Sequence, residues 1–282
     1  MTTRRLMFVH AHPDDESSKG AATAARYVDE GAEVVLVTCT GGEAGEVLNP
    51  ACEDVPPERM SAMREAELAA AVRIIGFTRT HQLGFHDSGY HEDPAGVPEG
   101  TFARTPVDEP AAVLAEVIRA ERPHVVVTYP EDGGYPHPDH IMCHEVTVRG
   151  VELAETGDLP GEPWRVPKVY ACTAFPPERV LALHEGLLER GLESPFEGWM
   201  ERRAERDEAK GEPAALIEVG EWLTRRDDAL RAHVTQVDPD GFWFQVPRDL
   251  ERSAYPYEAY LRIRSDVATE EPESDLFAGL DV

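Results

Sequence analysis

A chain of 282 residues that is 41% hydrophobic and 29% charged carries enough apolar material for one large α/β unit or two small ones. Its net charge of −27 repels phosphate backbones and anionic lipid surfaces, which argues against nucleic acid and membranes as partners. No apolar run approaches the ~20 residues needed to span a bilayer, and the roughly five apolar residues before His10 are too few for a signal peptide, so the expected location is cytoplasmic.

From the N-terminus, Leu6–His10 reads as a buried strand, followed by a helix over Ala21–Asp29 that Gly31 breaks. Val34–Val37 is a continuous β-branched-rich run of the kind buried on both faces of a parallel sheet. Thr40–Val55 is a Gly- and Pro-bearing loop, Pro57–Ile75 a helix with Pro near its start, and Gln82–Phe85 a short strand. A helix over Val107–Ala120 and a buried strand over His124–Pro130 come next, then the loop "EDGGYPHPDH" and a helix from about Ile141. This alternation predicts a Rossmann-like, mostly parallel α/β sheet with helices on both faces. Ligands bind beyond the carboxyl ends of such strands, where His10–Glu16, Thr40–Glu46 and Tyr129–His140 fall.

The second half reads as a less regular α+β part. Val169–Phe175 fits a strand, Val180–Arg190 and Glu221–His233 fit helices, and "GFWFQVP" fits a strand or an aromatic plug. The expected organisation is a single catalytic domain over 1–282: a core over 1–175, a substrate-side part over 176–266, and a loosely ordered acidic tail over 267–282. Cys39, Cys52, Cys143 and Cys172 lie far apart with no C-x-x-C pair, so reduced thiols are expected. Only three residues are lysine, and Lys19 falls inside the first strand-end cluster.

That cluster, "HAHPDDESSKG", puts two histidines, two adjacent aspartates and a glutamate within seven residues, His10–Glu16. Such groups are costly to bury alone and need partners or a bound cation. A later stretch, "YPHPDHIMCH", supplies His137, Asp139, His140 and His144 at another strand end. Nitrogen donors plus a carboxylate, with positions left open, match a catalytic zinc site, whereas a structural zinc more often takes four protein ligands including cysteine. Helix capping needs one acidic residue, not this set. A magnesium phosphoacceptor pocket is opposed by the histidines, because magnesium prefers all-oxygen ligands. On the 57–75 helix Arg64 and Glu67 fall within the apolar face, where they could pair with each other, or Arg64 could reach a ligand hydroxyl.

"AHPDDE" with a later "HPDH" resembles the PIG-L-type (LmbE-like) zinc deacetylase family, whose members hydrolyse N-acyl groups from amino sugars. That likeness covers at least residues 5–175; "HAHPDDESSKGAAT", "DGGYPHPDHIM", "ESPF" and "RDDALRAHVTQVDP" extend it nearly full length to the branch acting on mycothiol S-conjugates. The resemblance implies one zinc per chain, held by His12, Asp15 and His140, with Asp14 as general base. It implies that His137 stabilises or protonates the tetrahedral intermediate, that Asp139 orients His137, and that Tyr135 assists at the oxyanion. Arg64 and Asp87 become contacts to sugar or inositol hydroxyls. Lys19 is expected to reach the cysteinyl side of the substrate from the first turn of a helix, Glu46 to close over it, and His233 and Gln236 to line the far wall. His144 is not expected to be a ligand, and His10 is expected to pack beneath the site. The implied partner is a small molecule, a mycothiol S-conjugate cleaved to a mercapturic acid and glucosaminyl-inositol. The alternatives are deacetylation of N-acetylglucosaminyl-inositol, deacylation of another amino-sugar metabolite, and a metal-dependent binding or phosphotransfer module without hydrolysis.

Overall fold

The structure, a computed structural model, describes residues 3–91, 93–198 and 212–282. Five strands lie parallel: β1 (Arg5–His10), β2 (Glu33–Thr40), β3 (Arg79–Phe85), β4 (Val125–Thr128) and β5 (Lys168–Thr173). β7 (Tyr257–Ser265) runs antiparallel between β5 and β6 (Ala215–Glu218), giving the order β3-β2-β1-β4-β5-β7-β6. From β1 to β3 the chain steps outward in one direction, then crosses to the other side of β1 for β4 and β5. A reversal of this kind opens a crevice beyond the carboxyl ends of the two strands that flank it, β1 and β4.

The expected mostly parallel sheet with helices on both faces is present, and alternation along β1 assigns each residue to a layer. Leu6 and Phe8 pack with Ala25 of α2 (Ala21–Asp29) and with Leu68 and Ala71 of α3 (Pro57–Ile75). Met7 and Val9 pack with Leu114 and Ile118 of α4 (Asp108–Glu121) and with Cys143 of α5 (Pro138–Thr156). These four β1 side chains are fully buried, each gaining roughly 1.5–3 kcal/mol from removal of apolar surface. β1, which ends at the crevice, is therefore held by buried packing on both faces.

Several boundaries move, and one move matters for the site. α5 begins at Pro138, not near Ile141, because proline suits the first helical position and His137 caps it, accepting from the Asp139 N–H at 3.1 Å. Asp139 and His140 thus lie in the first turn of α5. "GFWFQVP" forms a single 3-10 turn over Phe242–Phe244 rather than a strand, and the rings of Phe242 and Trp243 pack on Phe175 at 5.5 and 5.8 Å. β6 and β7 were not expected, although "LRIR" alternates apolar and charged residues as a strand does. α6 (Pro177–Glu189), α7 (Leu223–Ala232) and α8 (Arg248–Ala254) complete the second half.

The acidic tail is ordered, contrary to the expectation from composition. Leu276 and Phe277 join the core layer of α2, while Asp275 accepts from the Tyr27 hydroxyl at 2.8 Å. Glu273 is buried against Lys168 at 3.0 Å and also accepts from the Tyr170 hydroxyl. Charge alone suggested a solvated end; specific partners hold it instead. No helix among the described residues is long and apolar enough to cross a membrane.

Candidate metal centre and active site

Beyond His10 the chain turns sharply through Pro13 and Asp14. Asp14 takes φ 104° and ψ −28°, a left-handed conformation that costs a residue with a side chain roughly 1–2 kcal/mol. Three contacts hold it there. Its N–H donates to Glu16 Oε2 at 2.8 Å, its carboxylate accepts from Arg64 Nη2 at 3.0 Å, and Arg64 also donates to the Pro13 carbonyl. After this turn the four-residue α1 (Asp15–Ser18) begins, and Asp15 Oδ2 reaches back to accept from the His12 N–H at 3.0 Å. Gly42 makes room for Arg64: a Cβ there would lie 2.5 Å from Nη2, and its φ of 67° also favours glycine.

Among the described residues two sets of side chains could hold a metal, namely His12, Asp15 and His140, and His12, His137 and Asp139. Asp15 Oδ2 lies 3.2 Å from His12 Nδ1 and 3.4 Å from His140 Nε2. The outer nitrogens are already used. His12 Nε2 faces Asp139 Oδ2 at 3.1 Å, and His140 Nδ1 faces the Gly133 carbonyl at 3.1 Å. Metal-ligating histidines are oriented in this way, the second ring nitrogen donating to a carboxylate or carbonyl so that the first carries its lone pair to the ion. His140 Nε2 is buried without a hydrogen-bond partner. The geometry therefore favours the first set, and the donor chemistry fits zinc.

The electrostatics also describe a cation site. Burial opposes charge on His12, yet Asp139, Asp15 and Asp87 outweigh it and raise its pKa well above the usual value. Burial likewise works against the Asp15 carboxylate, but Lys19 and His140 hold its pKa well below the usual range. Asp14 is pushed up by burial, with Arg64 opposing, which moves it toward the range of a working base. Burial and the neighbouring His12 and His140 lower the pKa of His137 to about 3, so its imidazole is neutral.

The remaining residues named from sequence fall in different places. Tyr135 is half exposed, its ring 4.7 Å from that of His140 and 5.9 Å from that of His137. Asp139 does not orient His137 through its carboxylate, which faces His12 and accepts from the Ser88 N–H at 2.9 Å. Asp87 stands 3.4 Å from His12 Nε2 and accepts from the N–H groups of Ala44 and Gly89. Arg64 is 1% exposed, and Glu67 pairs not with it but with the Thr235 N–H at 2.7 Å. Lys19 follows α1 as its C-cap rather than opening a helix; its ammonium touches Asp15 Oδ1 at 2.6 Å and Ser18 Oγ at 3.0 Å. Glu46 is exposed on its loop, and Glu43 is the acid that loop brings to Asp87, accepting from its N–H at 3.1 Å. His144 binds the Tyr129 carbonyl at 2.8 Å, outside both sets. His10 is fully buried between Phe8 and Tyr129. Gln236 stands near Gly45 and Arg64, and His233 is fully buried against Glu16. Cys143 is buried, its sulfur 3.7 Å from that of Cys39. Glu16 and the Gly133 carbonyl were not singled out from sequence; a third acid directly after two aspartates was the available signal for Glu16.

Residues 7–151 match the family model described as PIG-L, GlcNAc-PI de-N-acetylase. The chain belongs to the PIG-L family. It is 46% identical to a mycothiol S-conjugate amidase of Streptomyces coelicolor, over 98% of this chain and 97% of that one. It is 40% identical to a 1D-myo-inositol 2-acetamido-2-deoxy-alpha-D-glucopyranoside deacetylase of Geodermatophilus obscurus, over 99% and 98%. Among solved structures it shares the fold of an N,N'-diacetylchitobiose deacetylase from Pyrococcus horikoshii, with a TM-score of 0.62 at 16% identity, over 93% of this chain and 84% of that one.

Proposed function

We propose that this chain hydrolyses the amide between the cysteinyl group and glucosaminyl-inositol in mycothiol S-conjugates, with one zinc held by His12, Asp15 and His140. The observation that carries the reading is the inward lone pair of His140 beside Asp15 and His12, next to a separately anchored carboxylate, Asp14. The chain is a hydrolase of amide bonds, and the 46% identity to the Streptomyces coelicolor amidase supports the choice of substrate.

Zinc in that site would supply a Lewis acid for the amide carbonyl and a water of lowered pKa. The chain's own residues do the rest. Asp14 receives the proton of the attacking water on its carboxylate, which Arg64 holds in place. His137, neutral at rest with Nδ1 accepting from the Asp139 N–H, carries its proton on Nε2 and can donate a hydrogen bond to the amide oxygen as it becomes negative; the proton Asp14 took from the water passes to the leaving amine, which must depart protonated. Tyr135 stands at the open side of His137 and His140, where its hydroxyl can donate to that oxygen. Arg64, being buried, acts on substrate through Asp14. Asp87 offers a carboxylate for polyol hydroxyls, and Lys19 uses two of its three donors on Asp15 and Ser18, leaving one for a carbonyl of the cysteinyl side. Glu46 lies on a loop that can close over the bound molecule.

A second reading, deacetylation of N-acetylglucosaminyl-inositol, is favoured by the 40% identity to deacetylases over nearly the whole chain. Incubating the zinc-loaded protein with an S-conjugate and with the acetylated compound separates the two. The proposal expects the larger kcat/KM on the conjugate; a larger value on the acetylated compound contradicts it, and turnover of neither contradicts both.

A further inference from the structure

The strained turn at Asp14 is tied to a segment more than two hundred residues away. Glu16 Oε2 accepts from the Asp14 N–H at 2.8 Å, while its other oxygen, Oε1, accepts from Ser17 Oγ at 2.5 Å and faces His233 Nε2 at 2.7 Å. Glu16 is 1% and His233 0% exposed, so neither can exchange its partner for water. His233 is itself fixed as the C-cap of α7, where helix carbonyls favour a cation. The next residues are locked as well. Thr235 donates its N–H and hydroxyl to Glu67 of α3 at 2.7 and 2.9 Å, and its carbonyl accepts from the Leu48 N–H at 2.9 Å.

We infer that His233 is a positioning residue for Asp14: it holds Glu16, and Glu16 holds the backbone of Asp14 so that its carboxylate meets the reacting centre. The inference rests on Asp14 being the base of the proposed reaction. Arg64 fixes the carboxylate end of Asp14 and the Glu16–His233 pair fixes its backbone end. With one end released the carboxylate is displaced rather than removed, and displacements near 1 Å cost up to about a hundredfold in rate.

The test is a double-mutant cycle on the zinc-loaded protein with an S-conjugate as substrate, comparing His233→Leu and His233→Gln alone and combined with Asp14→Ala. His233→Leu should lower kcat about ten- to a hundredfold, keep KM within about twofold and keep full metal content. His233→Gln, whose amide can still donate to Glu16, should recover most of that loss. In the Asp14→Ala background neither substitution should cost anything further, because the group they position is gone. If His233→Leu does not fold, the same comparison is read from His233→Gln, whose smaller loss should vanish without Asp14. Equal losses in both backgrounds, a rise in KM at unchanged kcat, or loss of metal would overturn the inference while leaving the amidase reading intact. Absence of turnover by the unaltered protein would overturn the amidase reading and this inference with it.

Discussion

At the carboxyl end of the sheet Glu16 and His233 meet at 2.7 Å, and at the opposite end Lys168 and Glu273 meet at 3.0 Å; all four side chains are fully buried. Around Lys168 the polar atoms are satisfied: its ammonium also donates to the Ala278 carbonyl, and Glu273 accepts from Tyr170 and Thr269. Around Glu16 they are not. Ten buried side-chain polar atoms lack a hydrogen-bond partner among the described residues, and seven of them belong to His10, Arg64, Asp139, His140 and His233. Unsatisfied buried groups are rare in folded proteins and need a cause. Here they gather around the crevice between β1 and β4, where a bound metal would give His140 Nε2 its partner. One pair closes the fold around the tail; the other serves a site that is incomplete by itself.

The largest effect should come from the crevice. Asp14→Ala should lower kcat by about a hundredfold or more while zinc content and the unfolding midpoint stay close to those of the parent; metal loss in that variant would make Asp14 a ligand instead. At the far end the pattern should invert. Lys168→Met takes the nearer cation from the buried Glu273 carboxylate, with Arg262 Nη1 remaining at 3.8 Å, and should cost up to about 3–5 kcal/mol of stability in denaturant unfolding, with kcat of the folded fraction unchanged. Replacing both partners, Lys168→Met with Glu273→Leu, should return most of that stability, since a buried pair is often matched by apolar residues of similar volume. A fall in kcat without a fall in stability in Lys168→Met would erase the distinction between the two ends. The smallest effect belongs to Lys19→Ser. It should lower kcat/KM on an S-conjugate by about tenfold, the size of one lost charge-assisted hydrogen bond, and less on the acetylated compound. Equal losses would place Lys19 with Asp15 alone.

The two ends also differ in how far the sequence announced them. The crevice is written in short local runs: an apolar strand ending in "HPDDE" and another strand followed by "HPDH" bring the donors to neighbouring strand ends with no long-range guess required. The inward placement of Arg64 was legible from helical periodicity. Its partner was not, because Asp14 stands fifty residues earlier and the nearer acid, Glu67, is claimed by Thr235. The same limit hid Glu16–His233 and Lys168–Glu273, whose members are 217 and 105 residues apart. Composition misled at the tail, where acidic residues have dedicated partners. β6 is four residues at the sheet edge, and β7, nine residues long and inside the sheet, is buried along only part of its length, so both carry a weaker pattern than the buried runs of the parallel core.

The most direct measurement is zinc titration of the metal-depleted protein beside its His140→Ala and His144→Ala variants. One tight equivalent is expected in the parent and in His144→Ala, and loss of tight binding in His140→Ala. Tight binding that survives in His140→Ala would contradict this ligand set.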